Sequence, residues 1–217
     1  MIHFNLELNV KERVYHQFAR IGKCLSSDKR LEIMDLLSNG PKNVEEIALR
    51  TGMNIANVSR HLQILLDAKL VKFNKKGNYV IYNISDPSVI RFLIAMNSVC
   101  ENRLSDVQQI KEELKSQYKS VQSIGKQELQ EKMKQGKLIV IDFRPADEYE
   151  TKHIPDAVSV PFERLDEYLQ TISHDTEIAA FCRGMFCSLT FEAVEFMQKK
   201  GFKAYRIEEN IQEYEAF

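Results

Sequence analysis

Six consecutive residues, Cys182-Arg183-Gly184-Met185-Phe186-Cys187, carry the densest chemistry in the chain. The apolar run before them, Glu177 to Cys182, predicts a strand, and Ser188 to Lys200 after them predicts a helix. Cys182 then stands at the C-terminal end of a strand, directly before a tight turn into a helix. Backbone N–H groups of such a turn, and the positive end of the helix dipole, surround a sulfur placed there. Both favour thiolate over thiol and then stabilise a terminal persulfide anion. Attack by the Cys182 thiolate on a sulfane sulfur gives a covalent persulfide, which a second nucleophile accepts in a ping-pong cycle. Arg183 adds a donor near the oxyanion of the sulfur donor. Gly184, Met185 and Phe186 complete the anion loop. Two roles fit Cys187: packing beneath the loop, or converting a Cys182 persulfide into a disulfide. A cysteine loop that handles phosphate or arsenate needs an arginine at its far end to fork onto the oxyanion. Here that position is Ser188, which argues against phosphate or arsenate chemistry.

The elements that must hold this loop follow from hydrophobic rhythm. Leu138-Ile139-Val140-Ile141-Asp142 predicts a strand, with further strands at Ala157 to Val160 and Lys203 to Ile207 and helices between, Lys126 to Gln135 among them. Short apolar strands alternating with helices imply a parallel sheet in an α/β domain. Before it runs a different pattern. Helices are expected at Val10 to Cys24, Lys29 to Ser38 (capped by Ser27 or Asp28), Val44 to Arg50 (Asn43 with Glu46 as a capping-box variant) and Ile55 to Ala68 (capped by Asn54). Val71 to Phe73 and Tyr79 to Tyr82 flank a polar, Gly-containing turn and read as a hairpin. Pro87 then precedes a helical stretch to about Ser120. Its seam of Leu93, Met96, Cys100, Leu104, Val107, Ile110, Leu114 and Tyr118 suits packing against a partner chain. The weakly patterned Ser116 to Ser123 marks a boundary, giving domains over 1–115 and 122–217.

The 217 residues are enough for two small cores, and the net charge of −1 hides an asymmetry. Residues 1–100 carry 14 Lys/Arg against 9 Asp/Glu, whereas the remainder carries 16 against 22. A basic first half fits a polyanionic partner. No apolar run approaches the ~18–20 residues of a membrane span. Met1 to Val10 lacks the basic and apolar regions of a signal peptide, so the expected compartment is the cytoplasm, without a membrane partner. Four cysteines are too few for a disulfide scaffold, and none shares a C-x-x-C spacing. No metal site and no cofactor is expected. Cys24 and Cys100 are read as buried small hydrophobes, or as a pair forming a thiol switch.

Helices, a capped longer helix and a basic hairpin in this order make a winged helix-turn-helix. The stretch NVEEIALRTGMNIANVSRHLQILLDAKLVKFNKKGNYVIYNI, Asn43 to Ile84, resembles the ArsR family of small dimeric repressors. Burying Val58, Leu62 and Leu65 turns Ala56, Asn57, Arg60 and Gln63 outward, with Ser59 and His61 at the edges. Such side chains hydrogen-bond to base edges in a major groove. Four lysines and no acid between Lys69 and Lys76, among them Lys75 and Lys76, suit phosphate contacts from a wing. The resemblance implies a homodimer on double-stranded operator DNA. Relatives that bind metal use cysteines in the helix before the recognition helix. Here that helix reads VEEIALRT, with neither cysteine nor histidine.

The segments LIVIDFRPADEYETKHIPDAVSVPF and EIAAFCRGMFCSLTFEAVEFMQKKGFKAYRIEENIQEY resemble a single rhodanese domain. The resemblance implies sulfur transfer at Cys182, a small donor such as thiosulfate or a persulfide, and Asp142 and Arg144 as polar braces. His153 reads as a structural hydrogen-bond former. Asp156 stands where the family favours Gly, Glu208-Glu209-Asn210 replaces a glycine pair, and Tyr214 stands where Trp is common; these departures are expected to touch a turn and an edge more than the loop. The whole reads as a multidomain protein, a mainly-α winged helix-turn-helix followed by an α/β rhodanese-like domain. Its expected function is a DNA-binding regulator, a repressor, whose second domain handles or senses reactive sulfur through a Cys182 persulfide. The alternative is a sulfurtransferase with an accessory DNA-binding or dimerising domain. A third reading is a metalloid sensor using Cys24 or Cys100.

Overall fold

A computed structural model describes the backbone of residues 2–214 and the side chains of residues 9–214. The expectation of no signal peptide in Met1 to Val10 lies mostly outside the described side chains. So does the end of the rhodanese-like stretch, residues 215–217. The chain divides into two compact units, Met1–Ala95 and Met96–Phe217, a division that falls within one helix.

In the first unit, α1 (Ile2–Leu25), α2 (Asp28–Ser38), α3 (Val44–Thr51) and α4 (Ile55–Asp67) precede a hairpin of β1 (Val71–Lys76) and β2 (Tyr79–Ile84). Asn43 forms a complete capping box: its Oδ1 accepts from Glu46 N–H at 2.8 Å, and its own N–H donates to Glu46 Oε2 at 2.7 Å. Asn54 Oδ1 likewise accepts from Asn57 N–H, starting α4. Ser27 occupies the cap of α2 but makes no side-chain cap hydrogen bond. Gly52 ends α3 in the left-handed conformation, φ 67°, the turn that aims α4 away from α3. Ile33, Met34, Leu37, Ile47, Val58, Leu62 and Leu65 form the core between these helices. The wing differs from expectation: Asn74, Lys75 and Lys76 belong to β1, with Lys76 paired to Tyr79. Only Gly77-Asn78 remain as the turn, and Gly77 takes the positive φ that a two-residue hairpin requires.

The helical stretch after Pro87 is two helices, α5 (Pro87–Arg103) and α6 (Ser105–Gln117), not one. Leu104 breaks them with ψ 110°, and Ser105-Asp106, ordinary helix-start residues, open the second. The expected seam is also interrupted at its end, because Tyr118 stacks on Phe191 at 4.9 Å within its own unit.

The second unit is a five-stranded parallel sheet in the order β3-β7-β6-β4-β5. Its strands are β3 (Gln122–Ile124), β4 (Leu138–Asp142), β5 (Val158–Ser159), β6 (Glu177–Phe181) and β7 (Ala204–Ile207), interleaved with α7 (Lys126–Lys134), α8 (Ala146–Thr151), α9 (Leu165–Leu169) and α10 (Ser188–Lys199). β3 lies in the weakly patterned segment taken for a boundary; its three residues are too few to show periodicity. Two apolar clusters cover the two sheet faces, one around Val140, Ala179 and Phe181, the other around Ile141, Ile178, Ala180 and Val194. From β4 the chain crosses to β5 on one side and then to β6 on the other. The crevice at the C-terminal ends of β4 and β6 is therefore the switch point where α/β sheets place their sites.

Glu177, at the start of β6, accepts from Lys132 Nζ at 2.6 Å and Lys203 Nζ at 2.9 Å. These hydrogen bonds hold its carboxyl at about 2, against an ordinary 4.5. The stabilisation is present above pH 4.5 and is lost as pH falls towards 2. Glu177→Gln should lower unfolding stability at pH 7 by about 1 kcal/mol, with the difference from wild type shrinking on acidification below the ordinary carboxylate range, as urea titrations will show.

Candidate functional site

Cys182 follows β6 directly, and its side chain is buried, 3% exposed. Gly184 turns the chain at φ 91°, and a Cβ there would collide with the Asn210 side chain. Cys187 N–H then closes a turn onto Gly184 C=O at 3.2 Å. The loop thus folds back on itself, and Cys187 occupies the N-cap position of α10. The fold of the loop brings the two cysteines near enough for each to act on the other's ionisation.

Their ionisation is consequently shared. The Cys182 proton serving Cys187 brings the latter down to about 6; against burial, the N–H groups of Arg183, Leu189 and Thr190 lower it further. Cys187 makes no side-chain cap hydrogen bond, so the α10 N–H dipoles act on its sulfur at longer range. Cys182 is pushed up, first by that same interaction with Cys187 and then by burial, with Arg183 opposing. The helix end that was expected to activate Cys182 therefore serves Cys187 first in the reduced pair.

Two arginines frame the loop. Arg183 is forked onto Glu148 of α8, Nε to Oε2 at 3.0 Å and Nη2 to Oε1 at 2.7 Å. Glu148 is fully buried, so two of the donors expected to meet a substrate oxyanion are already committed. Arg206, in the middle of β7, lies beneath the loop and is 1% exposed. Its Nη2 donates to Met185 C=O at 2.6 Å and Gly184 C=O at 3.3 Å, and its Nε to Thr190 Oγ1 at 3.3 Å. Nη1 donates to Glu208 Oε1 at 3.3 Å, while the guanidinium stacks 3.9 Å from the Phe191 ring centroid.

Asp142 and Arg144 pair through three short contacts, the closest Nη2 to Oδ2 at 2.7 Å, and both side chains are wholly buried. Arg144 also donates to Lys152 C=O at 2.6 Å and lies over Phe181, the residue before Cys182. The pair braces the neighbouring crossover, and Arg144 packs on Phe181, the residue that precedes the loop. His153 Nδ1 bonds Tyr149 C=O at 2.9 Å, a structural contact. Phe186 is half exposed at the loop's outer side.

On α4, Val58, Leu62 and Leu65 are buried, and Asn57, Ser59, Arg60 and Gln63 are exposed. His61 leans inward, its Nδ1 buried, and Gln63 donates to Asp67 at 2.8 Å. Lys75 and Lys76 are exposed on β1. Cys24 is buried and donates to Ile64 C=O; burial raises its thiol, with Arg30 opposing. Cys24 lies in the first unit, and the half-buried Cys100 in the second.

Sequence comparison covers both units. Residues 27–72 match the bacterial regulatory protein family arsR, and residues 125–216 match the rhodanese-like domain. The HTH-type transcriptional regulator Rv0324 of Mycobacterium tuberculosis is 32% identical over 204 residues, covering 94% of this chain and 89% of its own. The chain belongs to the arsR family of bacterial regulatory proteins. It is a DNA-binding transcriptional regulator whose winged helix-turn-helix is followed by a rhodanese-like domain. The arsenical resistance operon repressor of Bacillus subtilis is 32% identical over 80 residues, 36% of this chain and 76% of its own. Among solved structures, the homodimeric winged helix-turn-helix domain Mb0332 of Mycobacterium bovis is 36% identical, covering 44% of this chain and 89% of its own at TM-score 0.43.

In this ArsR-family regulator the departures from the rhodanese pattern reach the loop after all. Glu208 pairs with Arg206, Asn210 abuts Gly184, and Tyr214 meets Phe181 edge-on. Asp156 adopts φ 60°, the left-handed conformation that explains a glycine preference at that turn. Glu148 and Arg206 were not among the expected site residues. Arg206 carried a signal, a charge between apolar neighbours in a short buried strand, whereas Glu148 in the acidic ADEYE run carried none. Among the described residues no group of three or more His, Cys, Asp or Glu could hold a metal ion, and none of their helices is long and apolar enough to cross a membrane.

Alkylation of Cys187 by iodoacetamide should rise with pH around a midpoint near 6, while Cys182 stays protected until much higher pH. In Cys187→Ser the Cys182 midpoint should fall, because the partner that raises it is gone. Peptide mass spectrometry across a pH series checks both.

Proposed function

We propose that this regulator binds double-stranded operator DNA as a homodimer and that Cys182 couples it to reactive sulfur by carrying a persulfide. The observation that carries the reading is the buried Cys182 in an amide-lined loop framed by Arg183 and Arg206, on the same chain as a winged helix-turn-helix. Exposed Asn57, Ser59 and Arg60, with Gln63 and the inward-leaning His61 beside them, make the base-reading face of α4. Lys75 and Lys76 grip phosphates from the wing. Val10, Val14 and Phe18, exposed at four-residue spacing on α1, and Val99 on α5 suit burial against a second copy.

The local charge selects the sulfur donor. Arg183 and Arg206 are each paired with a carboxylate, Glu148 and Glu208, so little uncompensated positive charge faces the loop. A neutral or singly charged sulfane sulfur, an organic persulfide or polysulfide, suits such a site better than the thiosulfate dianion. Loading with either an organic persulfide or polysulfide should change operator affinity in wild type and leave Cys182→Ser unchanged, measured by fluorescence anisotropy on the protein's own promoter. Equal responses in both proteins would remove Cys182 from signalling. Steady thiosulfate:cyanide turnover without any effect on DNA binding would favour the sulfurtransferase reading.

Arg60→Ala should weaken operator binding about 10- to 100-fold, from the loss of ~1–3 kcal/mol in base readout. Lys75→Ala or Lys76→Ala should instead weaken specific and non-specific DNA alike and reduce the log–log salt slope by about 1 each.

A further inference from the structure

The Cys182 loop contains its own second nucleophile. Gly184 and the Cys187-to-Gly184 turn bring the two cysteines of the loop together, and Arg206 holds that turn by its carbonyls from beneath. Both cysteines are free thiols at the two ends of the turned loop, with Cys187 at the start of α10, and each shifts the ionisation of the other. Nothing else in the described loop stands in that relation to Cys182: Phe186 turns to solvent and Arg183 is bound to Glu148.

We propose that Cys187 attacks the Cys182 persulfide, closing a Cys182–Cys187 disulfide within the loop and expelling hydrosulfide. The inference rests on persulfide formation at Cys182. The Cys187 sulfur forms a bond to the inner sulfur, Cys182 Sγ, and the bond between that atom and the terminal sulfur breaks. The terminal sulfur leaves with the bonding electron pair as HS⁻, carrying the one proton that the pair of groups retains. Two thiol sulfurs are oxidised by one electron each, and the sulfane sulfur is reduced by two, so no further oxidant is required. The proximity that makes the step intramolecular is built into the turn. Once Cys182 carries the added sulfur its own thiol proton is gone, and the N–H groups of Arg183, Leu189 and Thr190 are what favour the attacking Cys187 thiolate.

The consequence is a binary output. A persulfide leaves the loop's covalent path open, whereas the disulfide ties the end of β6 to the start of α10, and thiol reductants restore it. A sulfane-sulfur signal is thereby converted into a conventional disulfide inside one loop, with sulfide as the by-product.

The full-length protein, reduced and then treated anaerobically with one equivalent of an organic polysulfide, tests this. Trypsin cuts after Arg183, placing Cys182 in Leu165–Arg183 and Cys187 in Gly184–Lys199, while Cys24 and Cys100 fall in other peptides. In wild type we expect these two peptides to be disulfide-linked and about one hydrosulfide per chain to be released. Cys187→Ser and Cys187→Ala should release no hydrosulfide from this loop and should retain one added sulfur on the Cys182 peptide. An added sulfur that persists on Cys182 in wild type, with no linked peptide, overturns the role of Cys187 and leaves persulfide formation intact. No added sulfur on Cys182 in either Cys187 variant, and no linked peptide in wild type, overturns persulfide formation itself. The wild-type linkage is decisive even if a variant folds poorly.

Discussion

A buried guanidinium held by four hydrogen bonds and an aromatic face is the constraint on which the cysteine loop depends. Arg206 lies under the loop at 1% exposure, where desolvation disfavours its charge. It is tolerated there because the site is built around it: two loop carbonyls, the Thr190 hydroxyl, the Glu208 carboxylate and the face of Phe191. The dependence runs both ways. The carbonyls of Gly184 and Met185 turn inward to meet the cation, which leaves the amide side of the turn for the sulfurs. Replacing any one partner strands a charge or a carbonyl in a low-dielectric interior, so the arrangement holds as a unit.

The same arginine connects the loop to what precedes the sheet. Glu208 accepts from Ser123 of β3 and lies 3.7 Å from Lys115 of α6, while Tyr118, just past α6, stacks on the Phe191 that supports Arg206. The segment leading into the rhodanese-like fold is thus packed against the underside of its reactive loop by ionic and aromatic contacts. On the opposite side, Glu148 holds Arg183, and the Asp142–Arg144 pair fixes the crossover that delivers Glu148. The crevice at the ends of β4 and β6 is where parallel topology leaves amide groups free, and these ion pairs occupy its rim.

The winged unit relies on different physics. Its helices are started by local caps, the Asn43–Glu46 box and Asn54, and oriented by Gly52, so that three buried side chains on α4 suffice to turn the opposite face to solvent. Asn57, Ser59, Arg60 and Gln63 lie exposed on that face, and Gln63 donates to Asp67 one turn on. The cysteine loop is held by buried ion pairs, whereas the polar face of α4 is left open to solvent.

Element types, the two-part architecture and the place of Cys182 at the end of a strand before a turn into a helix were legible in the chain alone, because periodicity, caps and strand–turn–helix punctuation are local properties. Asn43, Asn54 and the Val58-Leu62-Leu65 stripe could be read without knowing any neighbour. Elements whose signal is short or ambiguous were not legible: three-residue β3, the break at Leu104, and the extension of β1 through Lys76 at the expense of the turn. The partners of the site were beyond sequence reading for a stronger reason. Glu148 and Arg183 are 35 positions apart, and Arg206 and Gly184 are 22. Only the parallel crossover of the sheet brings them to one edge, and nothing in a residue's neighbours along the chain encodes which buried charge it will meet. Strand–turn–helix order alone assigns the anion stabilisation to Cys182. Tertiary structure gave the helix start to Cys187 and left Cys182 holding the proton, because folding the loop back at Gly184 puts two thiols, rather than one, in the same field of amides.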